Sequence, residues 1–346
     1  MENFGNWSIL TVDFLILQYI ALGGVTLSAV LHLVNGKWRF QVRKLACALA
    51  VLFPITFVLL LVLLANGEST FQWLAHAHND PEHHLPGWHN YTFLVTRQIV
   101  GFLIVVGLYG LFIKLQHQSE IDSSYPAQRR FRNVALLIPF AYFLYGTMLA
   151  WDFEMTMMPG WHSASYGAYH FISNFHGFLA FFTILLFFLY RSGRLSKPFE
   201  PFIFNYMAQF MLAFTILFTY LYFTQFLIMW YGRLPGDVVR YNNMMYLDFA
   251  PLWWTFLAMK FVIPFATLVI TPNRHNPYVI LMVAISIWLG TWLERYTWIA
   301  GSVDPQYYRM PMTSLFGIGV TVVIAGVAFV AVRWSLTRYG LIKASS

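Results

Sequence analysis

Residues 45–65 read LACALAVLFPITFVLLLVLLA: twenty-one residues without a charge and with one hydroxyl, Thr56. A run of about 20 apolar residues is long enough to cross a bilayer as a helix. The run is continuous rather than alternating, which excludes a β-barrel. Runs of the same kind recur along the whole chain. Nine are predicted, at about 10–33, 43–65, 92–116, 132–151, 164–190, 205–231, 248–271, 277–299 and 312–335. Composition agrees: 59% of the 346 residues are hydrophobic, only 10% are charged and mean hydropathy is +0.59, far from the charge content of a soluble domain. The expected fold is an all-α, polytopic membrane helix bundle of about nine transmembrane helices, forming a single integral membrane domain over residues 1–346.

The connections between the runs alternate in charge. Lys37, Arg39, Arg43 and Lys44 follow the first. Arg129, Arg130 and Arg132 follow the third, Arg191, Arg194 and Lys197 the fifth, and Arg274 the seventh, and Arg333, Arg338 and Lys343 close the chain. The intervening connections carry Glu68, Asp80 and Glu82 and little excess of positive charge. Short basic loops stay cytoplasmic, so the N-terminus is expected outside and the C-terminus inside. The net charge of +7 is then a topology signal and calls for no nucleic acid. Trp and Tyr gather at the outer helix ends in PLWWTF, GTWLERYTW and LIMWYG, as interfacial belts require. The opening MENFGNWSIL has no basic segment and no small-residue cleavage pattern, and is expected to be a mature start. A single cysteine, Cys47, rules out internal disulfides, covalent c-type haem and an iron–sulfur cluster held by this chain alone.

Ionisable side chains inside a bilayer are costly and normally have a partner or a task. Lys260 falls near the middle of the seventh run, with Pro264 one turn on, where the missing N–H is expected to loosen the helix and free a carbonyl. Arg97 lies about two turns inside the third run, Asp13 near the outer end of the first, and Glu294 and Arg295 at the outer end of the eighth. In the fifth, Tyr166, His170, Ser173, Asn174 and Gly177 make one polar stripe leading inward from an outer loop that holds Asp152, Glu154 and His162; His176 stands off the stripe at about the depth of Lys260. Thr215, Thr219 and Tyr222, flanked by Gln225, make a second stripe on the sixth run. Carboxylates, imidazoles, hydroxyls and amides in series are the parts of a proton wire. The expected roles are Asp152 and Glu154 as outer proton acceptors, His170 with Asn174 as the relay, and His176 and Lys260 as mid-membrane carriers, with His162, Arg97 and Glu294 as further candidates. The bland alternatives are that hydroxyl stripes only pack helices, that the histidines bridge helices, and that Lys260 sits in a structural ion pair. The loop histidines His76, His78, His83, His84 and His89 have no fixed spacing that defines a metal site. Two histidines at matched depth on facing helices, as bis-histidine haem needs, are not found.

Two motifs carry a resemblance. WDFEMTMMPGWHSASYGAYHF contains Asp152, Trp161, Ser163 and Tyr169, and FTQFLIMWYGRLP contains Gln225, Trp230, Tyr231 and Pro235. Over most of its length the chain resembles the NrfD/PsrC-like membrane subunits of quinol oxidoreductases, most of all the ActF subunit of alternative complex III. The PGWHS wording is closer to the sister subunit, ActC, and Lys260 stands where that family has a histidine. The resemblance implies a subunit in a bacterial cytoplasmic membrane that supports quinol oxidation and proton transfer. It implies no redox cofactor on this chain, quinol at an interface, and iron–sulfur clusters and c-type haems on partner subunits. The implied partners are an NrfD-like quinol-binding subunit, an iron–sulfur subunit, a multihaem cytochrome c subunit, lipids and a terminal oxidase. A secondary transporter with a midplane site at Lys260, or a purely structural anchor, would use the same composition.

Overall fold

The computed structural model describes residues 4–74, 87–232, 235–301, 311–312 and 314–343. Among them there are helices and no strand, and nine helices are long and apolar enough to cross a membrane. They are α1 (Phe4–Leu33), α2 (Arg39–Ala65), α3 (Tyr91–Ile121), α4 (Tyr125–Phe153), α5 (Tyr166–Arg191), α6 (Phe202–Gly232), α7 (Ala250–Leu268), α8 (Pro277–Ala300) and α9 (Leu315–Arg338). A shorter helix, Pro235–Tyr246, lies between α6 and α7.

Local chemistry sets the ends and breaks. The Asn90, Asn276 and Ser314 side chains each accept a first-turn backbone N–H, at 3.0 Å in every case, and so cap α3, α8 and α9. α2 changes to a 3₁₀ turn over Ala48–Leu52 before resuming at Phe53. Pro54, in the first turn after the break, has no N–H to return to the preceding turn.

The bundle is organised round α1, whose most apolar window is 94% buried and which packs against α2, α4, α5, α8 and α9. α5 is the second inner helix, at 67%, whereas the same measure for α9 is 17%. Peripheral helices turn large apolar side chains outward, among them Ile216, Tyr220, Phe223, Leu227, Val322, Val323, Phe329 and Val330. Outward apolar and inward polar is the arrangement a hydrocarbon solvent favours. The chain is accordingly a multi-pass membrane protein.

α7 is not a regular helix. It runs as α-helix over Ala250–Leu257, widens to a π turn over Ala258–Val262, and resumes over Ile263–Leu268. Pro264 lies just past the π turn, as its missing N–H predicts, and the freed carbonyl of Met259 accepts from Ser286 Oγ on α8 at 2.9 Å. The widened turn carries Lys260.

Candidate functional site: a buried ion network

α4 ends at Phe153, and Glu154 is its C-terminal cap residue. From there a hydrogen-bonded chain of charged groups runs into the bundle. Arg295 Nη1, from α8, donates to both Glu154 oxygens at 2.8 and 2.6 Å. Its Nη2 donates to Glu294 Oε1 at 2.5 Å. Lys260 Nζ, from the π turn, donates to Glu294 Oε2 and, at 2.7 Å, to Ser173 Oγ. Ser173 in turn donates to Glu294 Oε2 at 2.6 Å. All five side chains are fully buried. Two carboxylates meet two cations, so the core of the network is neutral. This balance is what makes it tolerable: an unmatched ion in a dry interior costs several kcal/mol.

Aromatic hydroxyls and one imidazole complete the network. Tyr166 OH donates to Glu154 and Tyr169 OH to Glu294, and Trp298 Nε1 donates to Tyr169 at 2.9 Å. His170 Nε2 lies 2.9 Å from Glu154 Oε1, and its Nδ1 lies 2.9 Å from Tyr19 OH of α1. Tyr19 OH has a second acceptor in reach, the Gly146 carbonyl, at 3.1 Å. Asn174 Nδ2, one turn along, faces His170 Nδ1 at 3.2 Å and donates to the His170 carbonyl at 2.8 Å. An ionised Glu154 and a donor amide at Nδ1 together assign the proton of neutral His170 to Nε2.

The helix ends here are closed by a further cation. Arg240, from the helix Pro235–Tyr246, donates through Nη2 to the Glu154 carbonyl at 2.8 Å and the Trp298 carbonyl at 3.0 Å, capping α4 and α8 together. Its guanidinium lies 4.3 Å from the Trp161 ring centroid and 5.0 Å from that of Trp298. Close packing makes room for Lys260: a β-carbon at Gly290 would come within 2.8 Å of Lys260 Cγ.

A second, separate cluster holds Asp152. Arg97 forks onto both of its oxygens at 2.9 and 2.6 Å, Gln98 donates at 2.5 Å and Trp88 Nε1 at 2.8 Å. The Arg97 guanidinium lies 4.0 Å from the Trp88 ring. The cluster ties the segment before α3 to the end of α4. His89, on that segment, packs edge-on against Trp73 at 5.2 Å, and burial holds its imidazole below the ordinary histidine range.

Several expectations need correction. Asp152 and Glu154 are not loop carboxylates at a wet interface; both are fully buried and fully hydrogen-bonded, because α4 extends past the apolar run and carries them in. His162 is exposed, and among the described residues its side chain bonds within its own turn, with Nδ1 3.2 Å from the Gly160 carbonyl; it takes no part in the network described above. His176 is fully buried but bonds to Thr215 Oγ1 at 3.1 Å, and no hydrogen bond joins it to Lys260 among the described residues. The Phe218 ring contacts both, 4.3 Å from Lys260 Nζ and 6.4 Å from the His176 ring. Arg97 belongs to the Asp152 cluster, and Glu294 stands at the centre rather than at the margin. Of the motif residues, Trp161 packs on Arg240, Gln225 donates to Tyr241 OH at 2.6 Å, Trp230 and Tyr231 point outward at 61% and 82% exposure, and Pro235 opens the short helix. His76, His78, His83 and His84 lie outside the described residues.

Sequence reasoning passed over Arg295, Arg240 and Tyr19 as members of the site. Arg295 was legible: next to Glu294 and five residues from the helix end at Ala300, it lies roughly 7–8 Å deep at about 1.5 Å per residue, too far in for a belt residue. Tyr19 and Arg240 had no local signal, since each reaches the network from a helix distant in sequence.

The fold and the site define the class: a multi-pass membrane bundle with a charge-balanced ion network sealed among α4, α5, α7 and α8. No family model matches the chain, and no curated protein matches it.

Proposed function

We propose that the chain is a proton-conducting membrane subunit of a respiratory quinol:electron-acceptor oxidoreductase of the alternative complex III type, working beside an NrfD-like quinol-binding subunit and partners that carry iron–sulfur clusters and c-type haems. The motifs around Asp152–Tyr169 and Gln225–Pro235 suggest the family. The observation that supports proton work is the placing of His170 between Glu154 and Tyr19.

Neutral His170 donates from Nε2 to Glu154 and accepts from Tyr19 at Nδ1. If Nδ1 gains a proton, the Tyr19 hydroxyl swings its hydrogen to the Gly146 carbonyl and accepts from Nδ1 instead. Asn174 keeps its bond to the His170 carbonyl. Both ring nitrogens therefore keep a hydrogen-bond partner in either protonation state, and one hydroxyl rotation interconverts them. Histidine is the side chain suited to such a step near neutral pH. Arg295 remains charged throughout and holds the carboxylates in place. A purely structural bridge has no need of the second acceptor.

The network starts beneath the end of α4 and stops at Lys260, short of His176. That supports exchange of protons with the face nearer Glu154, as release on quinol oxidation requires, over conduction across the whole membrane. The test is the double variant Lys260→Met/Glu294→Gln in the complex purified with its partners. It removes one carboxylate and one cation, so the core stays neutral. Expected are normal co-purification of cluster- and haem-bearing subunits and a fall in coupled quinol oxidation on the order of tenfold or more. Unchanged coupled turnover in proteoliposomes would overturn the role, and purification without any redox partner would overturn the assignment to this class of complex.

A further inference from the structure

The chain carries a second polar construction at its other face, where α5 and α9 end. α9 finishes in a Schellman turn: Leu341 N–H donates to the Leu336 carbonyl at 2.9 Å and Gly340 N–H to the Thr337 carbonyl at 3.0 Å, with Gly340 at φ +62°. α5 ends with Gly193 at the same φ of +62°. The two left-handed residues turn both tails towards each other. The tails pair antiparallel at Leu195 and Ile342, with Lys343 N–H on the Arg194 carbonyl at 2.7 Å and Ser196 N–H on the Leu341 carbonyl at 3.1 Å.

This pairing sets Arg194 and Lys343 beside Arg333, one turn before Thr337 on α9. Together they line an open cleft of about 450 Å³ whose other walls are Phe329, Val330, Trp334, Thr337 and Ile342. Among the described residues no carboxylate lines it, and none of the three cations is in an ion pair. The contrast is the cleft on the far side of Trp334, where Lys44 is matched by Glu120 at 2.6 Å. The wall below is apolar and turned outward: Phe329 is 67%, Val330 65% and Trp334 59% exposed. Three unmatched cations above an outward apolar wall, with a tryptophan at the boundary, fit one chemistry: a phosphate diester with acyl chains.

We propose that Arg194, Arg333 and Lys343 hold the headgroup of an anionic phospholipid from the adjoining leaflet, its chains lying along Phe329 and Val330 of α9. Free phosphate would use the cations but not the apolar wall. The site is independent of the proton network, being at the opposite end of the bundle.

The experiment is a native mass-spectrometric titration of the full chain with phosphatidylglycerol and with phosphatidylcholine of the same chains. The wild type is expected to prefer phosphatidylglycerol by at least tenfold. Each cation contributes about fivefold, so Arg194→Gln/Arg333→Gln/Lys343→Gln is expected to lose on the order of a hundredfold. Gly340→Ala keeps every charge but strains the turn that places Lys343, and is expected to weaken binding several-fold. Arg338→Gln, a neighbouring cation outside the cleft, changes it by less than about twofold. Equal affinity of the wild type for both lipids, full retention by the triple variant, or an Arg338→Gln loss as large as that of a cleft cation would overturn the site. Displacement of the lipid by inorganic phosphate at equal concentration would overturn the assignment to a lipid.

Discussion

Replacing Lys260 by Met isolates the electrostatics of the buried network. Methionine has nearly the volume of lysine and fits the groove that Gly290 leaves open, so packing changes little. Charge does change. Wild type holds Glu154, Glu294, Arg295 and Lys260 at net zero; Lys260→Met leaves two carboxylates against one arginine, all fully buried. Breaking a buried ion pair by removing one partner costs about 3–5 kcal/mol. Glu294→Gln alone leaves the opposite imbalance, two cations against Glu154, and is expected to cost a similar amount. The double variant is neutral again, because Glu154 keeps both of its bonds to Arg295 Nη1. Its loss is expected to be about 2–3 kcal/mol smaller than the sum of the two single losses, a coupling typical of groups in one network. The assay is equilibrium unfolding of the four proteins in mixed micelles with increasing dodecyl sulfate, followed by far-ultraviolet circular dichroism. A Lys260→Met loss below about 1 kcal/mol, or singles whose losses simply add in the double, would refute the reasoning, because the ions would then be solvated or unpaired.

Other outcomes follow from the same geometry. Asp152→Asn leaves the Arg97 fork facing an amide and is expected to cost about 2–3 kcal/mol, with faster amide hydrogen exchange at Trp88 and His89, which Arg97 and Trp88 tie down; unchanged exchange there counts against the clamp. Gly290→Ala drives a methyl into Lys260 and Met259 and should cost about 1–3 kcal/mol in the same unfolding assay, whereas a neutral result means α7 can draw back. Pro264→Ala restores an N–H behind the π turn and is expected to regularise α7, turning Lys260 away from Glu294; the coupling energy between those two residues should then fall below about 1 kcal/mol, and retention of full coupling would show that the π turn is set by something other than Pro264.

The all-helical fold and its nine spans were legible because lipid imposes a one-dimensional rule. Any segment crossing hydrocarbon must be apolar for about 20 residues and satisfy its own backbone, so a run such as residues 45–65 declares itself without reference to the rest of the chain. A loosening of α7 beside Lys260 was legible for a similar reason, since Pro264 acts on its own helix; that it takes the form of a π turn was not. The network was legible only in pieces. Lys260, Glu294, His170 and Asn174 stood out as polar groups in apolar runs, but polarity along one helix says nothing about partners on another. Hence Asp152 and Glu154, close neighbours in sequence, fall into different clusters, and His176 bonds to Thr215 rather than to Lys260. What the tertiary structure alone decided was which charge faces which: Arg295 between two glutamates, Tyr19 from α1 on His170, Arg240 across two helix ends. Those pairings depend on the packing and rotation of helices that are far apart in the chain, and only packing brings their charges to zero net in one place.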